Sequence, residues 1–171
     1  MTTLSGALVT LRRATHDDVP DLARLRATPQ VHRWWRGGDD MVAAVEADLA
    51  EPGSTGYVIL HDERVAGWIQ WQAEEEPDYR HASIDVYVDP ALHGRGIGTD
   101  AVRTLARHLF VDHGHHRITI DPAADNVVAI RCYTKVGFRP VGIMREAERG
   151  TDGTWHDSLL MDLLAGELTE A

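Results

Sequence analysis

The stretch DVYVDPALHGRGIGTDAVRTL, residues 85–105, decides the fold. It begins as alternating β-formers, meets Pro90, passes Gly94, Gly96 and Gly98 at alternate positions, and leaves as a helical pattern. A strand, a glycine turn and a helix therefore follow one another. The first N–H groups of a helix have no partner within it, and the aligned peptide dipoles leave partial positive charge there. Glycines let the backbone take positive φ and approach an anion closely, and Arg95 adds a cation beside them. A phosphate or pyrophosphate fits such a turn; a tight bend that holds nothing is the competing reading. Two familiar phosphate loops are excluded, because no GK[ST] ending follows and the glycine spacing is not G-x-G-x-x-G.

Upstream, residues 57–60, 65–72 and 82–88 read as strands of an antiparallel meander, with a turn at Asp62 and Glu63. Before them, ALVTLRRAT at 7–15 alternates as one half-buried strand. A helix then starts near Asp17 or Asp18, with Val19, Leu22 and Leu25 at helical spacing, and a second amphipathic helix over 40–51 ends at Pro52 and Gly53. Downstream the order becomes helix 99–112, strand 117–120, helix 127–136 and strands around 138–144 and 158–164. Antiparallel strands first and alternating β and α later predict a single α/β (α+β) domain over residues 1–171.

Composition agrees with one domain: the chain has 171 residues and is 43% hydrophobic, enough for a core. No basic segment precedes an apolar run, and no window approaches the roughly 18 apolar residues of a membrane span. With Cys132 as the single cysteine, a disulfide framework is excluded, and a soluble cytoplasmic protein with no membrane partner is expected. Lys plus Arg number 17 against 27 Asp plus Glu, a net charge of −10. That field repels phosphate backbones, so no nucleic acid partner is expected, and it attracts cations; plain solubility is the other reason for such a charge.

A second motif follows the glycine turn. DNVVAIRCYTKVGFRPVG, residues 125–142, together with His93-Gly94-Arg95-Gly96-Ile97-Gly98, resembles the GCN5-related N-acetyltransferase (GNAT) superfamily in motif order and spacing. His93 departs from the Gln or Arg common at that place. The resemblance implies a mixed, mostly antiparallel twisted sheet of six or seven strands flanked by about four helices, and acetyl-CoA as cofactor. It implies cofactor contacts at Val86, Val88, His93, Gly94, Arg95, Gly96, Ile97, Gly98, Thr99, Asn126, Ala129 and Tyr133. Asn126 would lie along the pantetheine arm, and Tyr133 would give a proton to the departing thiolate. A phenol of pKa near 10 can protonate a thiolate when geometry assists. Purely structural roles stay open: His93 as a turn residue, Asp125 or Asn126 as a helix cap, Tyr133 as a packing partner of Phe138.

An N-acetyltransferase must also deprotonate an ammonium. Asp85 alternates with Ile84 and Val86 on one strand, and Asp121 ends the next, so neighbouring parallel strands would bring two carboxylates to one cleft. HRWWRGG at 32–38, SID at 83–85, the DPAADNVVAIRCYTKVGF run and the late Asp152-Gly153 turn are similar to the aminoglycoside 6′-N-acetyltransferases. That resemblance implies Asp85 as general base, directly or through water, and Asp121 and Asp152 as ligands for other amino groups. Trp34 or Trp35 would pack on a sugar ring. Asp121 as a turn residue before Pro122, Asp85 as a solvent-facing strand residue, and the tryptophans as a plug between early helices are the alternatives.

Other features read plainly. The acidic loop at 73–79 is a solvated charge run unless it rims the cleft, where it would steer a polycation. Cys132 reads as a structural thiol. His113, His115 and His116 lack an acidic or thiol partner at ligand spacing, so no metal is expected. The closing REAERGTDGTWHDSLLMDLLAGEL also resembles the last hairpin of protein N-terminal (ribosomal-protein) acetyltransferases. Acetylation of a siderophore precursor, or a CoA-binding sensor without chemistry, are further readings, and the chain would be a monomer or homodimer.

Overall fold

The computed structural model describes residues 2–35 and 38–170. Its strands are β1 Thr3–Ser5, β2 Thr10–Arg13, β3 Ser54–His61, β4 Arg64–Glu74, β5 His81–Val88, β6 Arg117–Ile120, β7 Arg139–Arg149 and β8 Trp155–Leu164. The helices are α1 Val19–Arg26, α2 Pro29–His32, α3 Met41–Ala50, α4 Ile97–Val111 and α5 Val127–Val136. The strands form one sheet of eight in the order β1-β2-β3-β4-β5-β6-β8-β7. Every neighbouring pair is antiparallel except β5 and β6.

Alternation along the strands sends side chains to two cores, one on each face. Ile59, Ile69 and Ile84 join Ile97, Leu105 and Leu109 of α4 and Val136 of α5 on one face. Val58, Trp68 and Tyr87 meet Leu22 and Leu25 of α1 and Val45 of α3 on the other. Thus Val86 and Val88 lie toward α4 and α5, whereas Asp85 shares the face of Tyr87, two residues on. The β3–β4 turn is made by Asp62 and Glu63 with φ of +48° and +63°, which matches the twist of a two-residue hairpin.

The sheet has one or two more strands than expected, and the reason is local. Residues 7–9 do not extend a strand, because Asp100 in the first turn of α4 accepts from their backbone: Ala7 N at 3.2 Å, Leu8 N at 2.7 Å and Val9 N at 3.0 Å. They form the turn of a short β1–β2 hairpin instead. The additional helix, α2, is one turn begun by Pro29. Entry to α1 is pinned by Asp18, which binds Arg12 Nη2 at 2.7 Å and Thr15 N at 2.8 Å. No helix among the described residues is long and apolar enough to cross a membrane.

Candidate active site

The β5–β6 ladder is short: Ala82 pairs with Ile118 and Ser83 with Thr119, and no further. Beyond it β5 continues beside β4 while β6 continues beside β8, so the sheet splits. Asp85 and Asp121 each stand two residues past the last pair, one on either side of the split. Tyr133, on α5, is buried near enough to both acids for their charges to act on it. Burial pushes its phenol far above the ordinary value, and the charges of Cys132, Asp85 and Asp121 add to this. Its ring packs on Phe138 at 6.2 Å between centroids, so packing and proximity to both acids occur together.

Asp85 keeps a solvent-facing side, yet it lies in a concavity of protein atoms that excludes part of its water. This desolvation pushes its carboxyl above the usual carboxylate range; the Gln70 hydrogen bond opposes the shift and the charge of Glu148 adds to it. Residues 122–124 beside the split are stitched to β8, with Leu159 N donating to Pro122 O at 2.8 Å and Ala124 N to Asp157 O at 2.9 Å.

The glycine turn between β5 and α4 suits an anion. Gly94 and Gly96 hold φ of +77° and +81°, and a Cβ added to Gly94 would meet nothing within 4 Å, so space lies open before the helix. His93 folds back, its Nε2 lying 3.1 Å from Val88 O, and so braces the turn against the end of β5. Gly98 gives close contact between α4 and α5: its added Cβ would sit 3.5 Å from both Cys132 Sγ and Val88 Cγ2. Thr99 Oγ1 and Cys132 Sγ are 3.4 Å apart, and burial raises the thiol's pKa, which fits a packing group. Asn126 caps α5, its Oδ1 accepting from Ala129 N at 3.3 Å. The cap leaves the Nδ2 donors unused by the helix. These residues fit a pyrophosphate followed by a chain of amides lying in the split.

The two tryptophans separate. Trp35 packs edge-on against Tyr87 at 4.9 Å, with Arg26 over its ring at 6.0 Å, and Arg26 is ion-paired to Asp48. Trp34, stacked with Arg33 at 4.4 Å, lines a cleft of about 250 Å³. The opposite wall comes from the β7–β8 hairpin and includes Glu148, Asp152, His156 and Asp157, with Asp125 at the edge. Glu148, His156 and Asp157 were not legible in the sequence, where Asp125 stood only as a possible helix cap. The usable signal was the Asp152-Gly153 turn, because counting back across that hairpin sets Glu148 opposite His156.

Two other sequence features lie elsewhere. The acidic loop after β4 sits at the start of β5, where Arg80 pairs with Glu75 and donates to His113 O and Gly114 O. It borders the end of the strands opposite the glycine turn. His113 and His115 pack on Trp71 at 4.7 and 5.9 Å.

The acetyltransferase (GNAT) domain model matches residues 9–139. Aminoglycoside N(6′)-acetyltransferase type 1 of Klebsiella pneumoniae is 30% identical over 159 residues, covering 82% of this chain and 78% of the relative. Among solved structures, AAC(6′)-Ib in complex with paromomycin and acetyl-CoA superposes with a TM-score of 0.76 at 28% identity, over 94% of this chain and 95% of that one. Mycobacterium smegmatis RimJ in complex with CoA-disulfide gives a TM-score of 0.85 at 24% identity, over 99% and 90% of the two chains, a likeness of fold. With the split sheet, the anion-ready glycine turn and the matched domain model, the chain belongs to the GNAT acetyltransferases and is an acetyl-CoA-dependent N-acetyltransferase.

Proposed function

We propose that the chain acetylates a primary amine of a cationic small molecule, the 6′-amino group of an aminoglycoside, in a ternary complex. The observation that carries this reading is the cleft where Trp34 faces Glu148, Asp152 and Asp157, with Glu148 close enough to Asp85 to act on its charge. Carboxylates around an aromatic face suit an amino sugar, whose ammonium groups need counter-charges and whose ring carbons need a flat apolar partner. The 30%-identical relative from Klebsiella pneumoniae supports the same acceptor class.

Acetyl-CoA supplies the acetyl group as a thioester, open to attack by an uncharged amine. His93 to Thr99 would hold its pyrophosphate, with Val86, Val88, Asn126 and Ala129 along the pantetheine arm. Asp85 takes the proton from the substrate ammonium, directly or through one water, and a carboxylate held above its ordinary pKa is a better base than a free one. Tyr133, whose proton burial retains, gives that proton to the departing sulfur. Asp121 and Asp152 hold further ammonium groups. Trp34 packs on the sugar, while the packing of Trp35 against Tyr87 supports a positioning role for that residue.

The test is release of free CoA thiol from acetyl-CoA with aminoglycosides that have or lack a 6′-amine, beside N-terminal peptides. Turnover confined to 6′-amino compounds is expected. Turnover with peptides and none with amino sugars would overturn the acceptor assignment in favour of protein N-terminal acetylation.

A further inference from the structure

The β7–β8 hairpin is closed around one pair of side chains. His156 Nε2 lies 3.0 Å from both oxygens of Asp152. Asp152 Oδ1 also accepts from Thr154 N and Thr154 Oγ1, each at 2.9 Å. The backbone makes room for the ring: a Cβ on Gly150 would stand 2.8 Å from His156 Cδ2 and 3.0 Å from Asp152 Oδ1. Both side chains line the cleft that Trp34 faces. The carboxylate available for a substrate ammonium therefore already holds an imidazole of the protein's own.

We infer that His156 is a resident competitor at this second ammonium position: its imidazolium occupies Asp152 in the free protein, and a polyamine acceptor displaces it. The inference rests on the aminoglycoside reading and makes it more specific. His156 is surrounded by Asp152 and Thr154 in the turn, Glu148 across the ladder, Asp157 beside it, Asp125 ahead of α5 and Arg33 on the opposite wall. The carboxylates favour its charged form, Asp152 above all through its hydrogen bond, with Asp125 and Glu148 adding. Loss of water around the ring opposes them, and among the described residues that line this cleft Arg33, stacked on Trp34, is the one arginine or lysine.

Exchange has a proton balance. The imidazolium that leaves Asp152 loses the contact that held its proton, so part of that proton goes to solvent while the substrate ammonium takes its place. Acceptors with a second amine reach Asp152 and feel this competition; an acceptor whose sole amine is the reacting one does not. As pH rises through the His156 titration the competitor loses its charge and polyamine binding tightens.

Calorimetric titration of the CoA-bound protein with tobramycin, in two buffers of unlike ionisation heat, tests this. Wild type is expected to release protons on binding near pH 6.5, and His156→Gln to release fewer and bind about three- to fivefold tighter, the scale of an exposed ion pair. The two proteins converge near pH 8.5. A 6-aminoglucoside with no other amine binds both alike. Equal affinity and proton release in the two proteins, or weaker tobramycin binding by His156→Gln, overturns the inference and leaves the aminoglycoside reading standing. Failure of tobramycin to bind wild type overturns that reading and the inference with it. The pairing is checked without acceptor by NMR titration of the His156 ring in Asp152→Asn, where the midpoint falls toward that of free imidazole; an unchanged midpoint also overturns the inference.

Discussion

Gln70 stands directly across the β4–β5 ladder from Asp85 and donates its Nε2 to Asp85 Oδ2 at 3.4 Å. The amide is oriented from behind: Trp68 Nε1, which can only donate, binds Gln70 Oε1 at 3.1 Å, so the NH2 group faces the carboxylate. A buried indole thereby aims a donor at the proposed base. Asp85→Asn keeps the shape and removes the proton acceptor. We expect kcat to fall about 10²–10⁴-fold, the range of general base catalysis, with little change in KM for acetyl-CoA, measured by thiol release. Wild-type kcat in the variant would remove Asp85 from the chemistry.

The same residue couples activity to stability. Its folded pKa is raised above the unfolded one, so the native state binds the extra proton, and stability falls as pH rises through the window between the two values. Above that window the cost persists. Asp85→Asn is therefore expected to melt higher than wild type at neutral pH, with the gap closing as pH drops to the ordinary aspartate range near 4. Activity of wild type moves oppositely, kcat/KM declining as acid protonates the base. Thermal melts and initial rates across one pH series check both.

Tyr133→Phe removes a proton from a position that burial keeps protonated. The ring still packs on Phe138, so stability should change little while kcat falls about 10²-fold. Because the wild-type phenol titrates far above its ordinary value, no alkaline decline of rate from Tyr133 is expected below about pH 10. A decline removed by the Phe substitution would contradict that assignment.

Asp100 links the N-terminal hairpin to the helix that begins at the glycine turn. Three backbone N–H groups converge on its buried carboxylate, and a Cβ on Gly6 would collide with it. Asp100→Ala leaves those donors without acceptors and is expected to cost about 3–5 kcal/mol in denaturant unfolding. The milder Asp100→Asn should remain folded and show a raised KM for acetyl-CoA, because the start of α4 loses its tether while Asp85 and Tyr133 are untouched.

The glycine turn and the α5 motif were legible because backbone rules act locally: positive φ demands glycine, and a helix start demands a cap. Hence β6 and α5 fall at the expected boundaries. The β1 strand was not legible, since its turn is dictated by Asp100, more than ninety residues away in sequence. The cleft was half legible. Asp152, expected from the resemblance, lines it, while Asp85 and Asp121 stand at the split of the sheet; Glu148 and His156 acquire meaning only through the register across β7 and β8. Alternation could not decide between Trp34 and Trp35 either, because the choice lies in what waits below the chain. Tyr87 fills that place for Trp35.

That separation of adjacent tryptophans makes a paired test. Trp35 sits on Tyr87 with Arg26 over its ring, and Arg26, 3% exposed, is paired to Asp48. Trp35→Ala opens a cavity beside this buried pair, and the expected loss is about 3 kcal/mol, the scale of an aromatic truncation in a core. Acceptor KM would also rise, because the corner carrying Trp34 loses its anchor. Trp34 rests on Arg33 and faces the cleft, so Trp34→Ala should leave the melting temperature within about 2 °C while raising KM for amino sugars several-fold. If Trp34→Ala instead unfolded the protein and left acceptor KM unchanged, the indole would be a plug and the cleft would lose its aromatic wall.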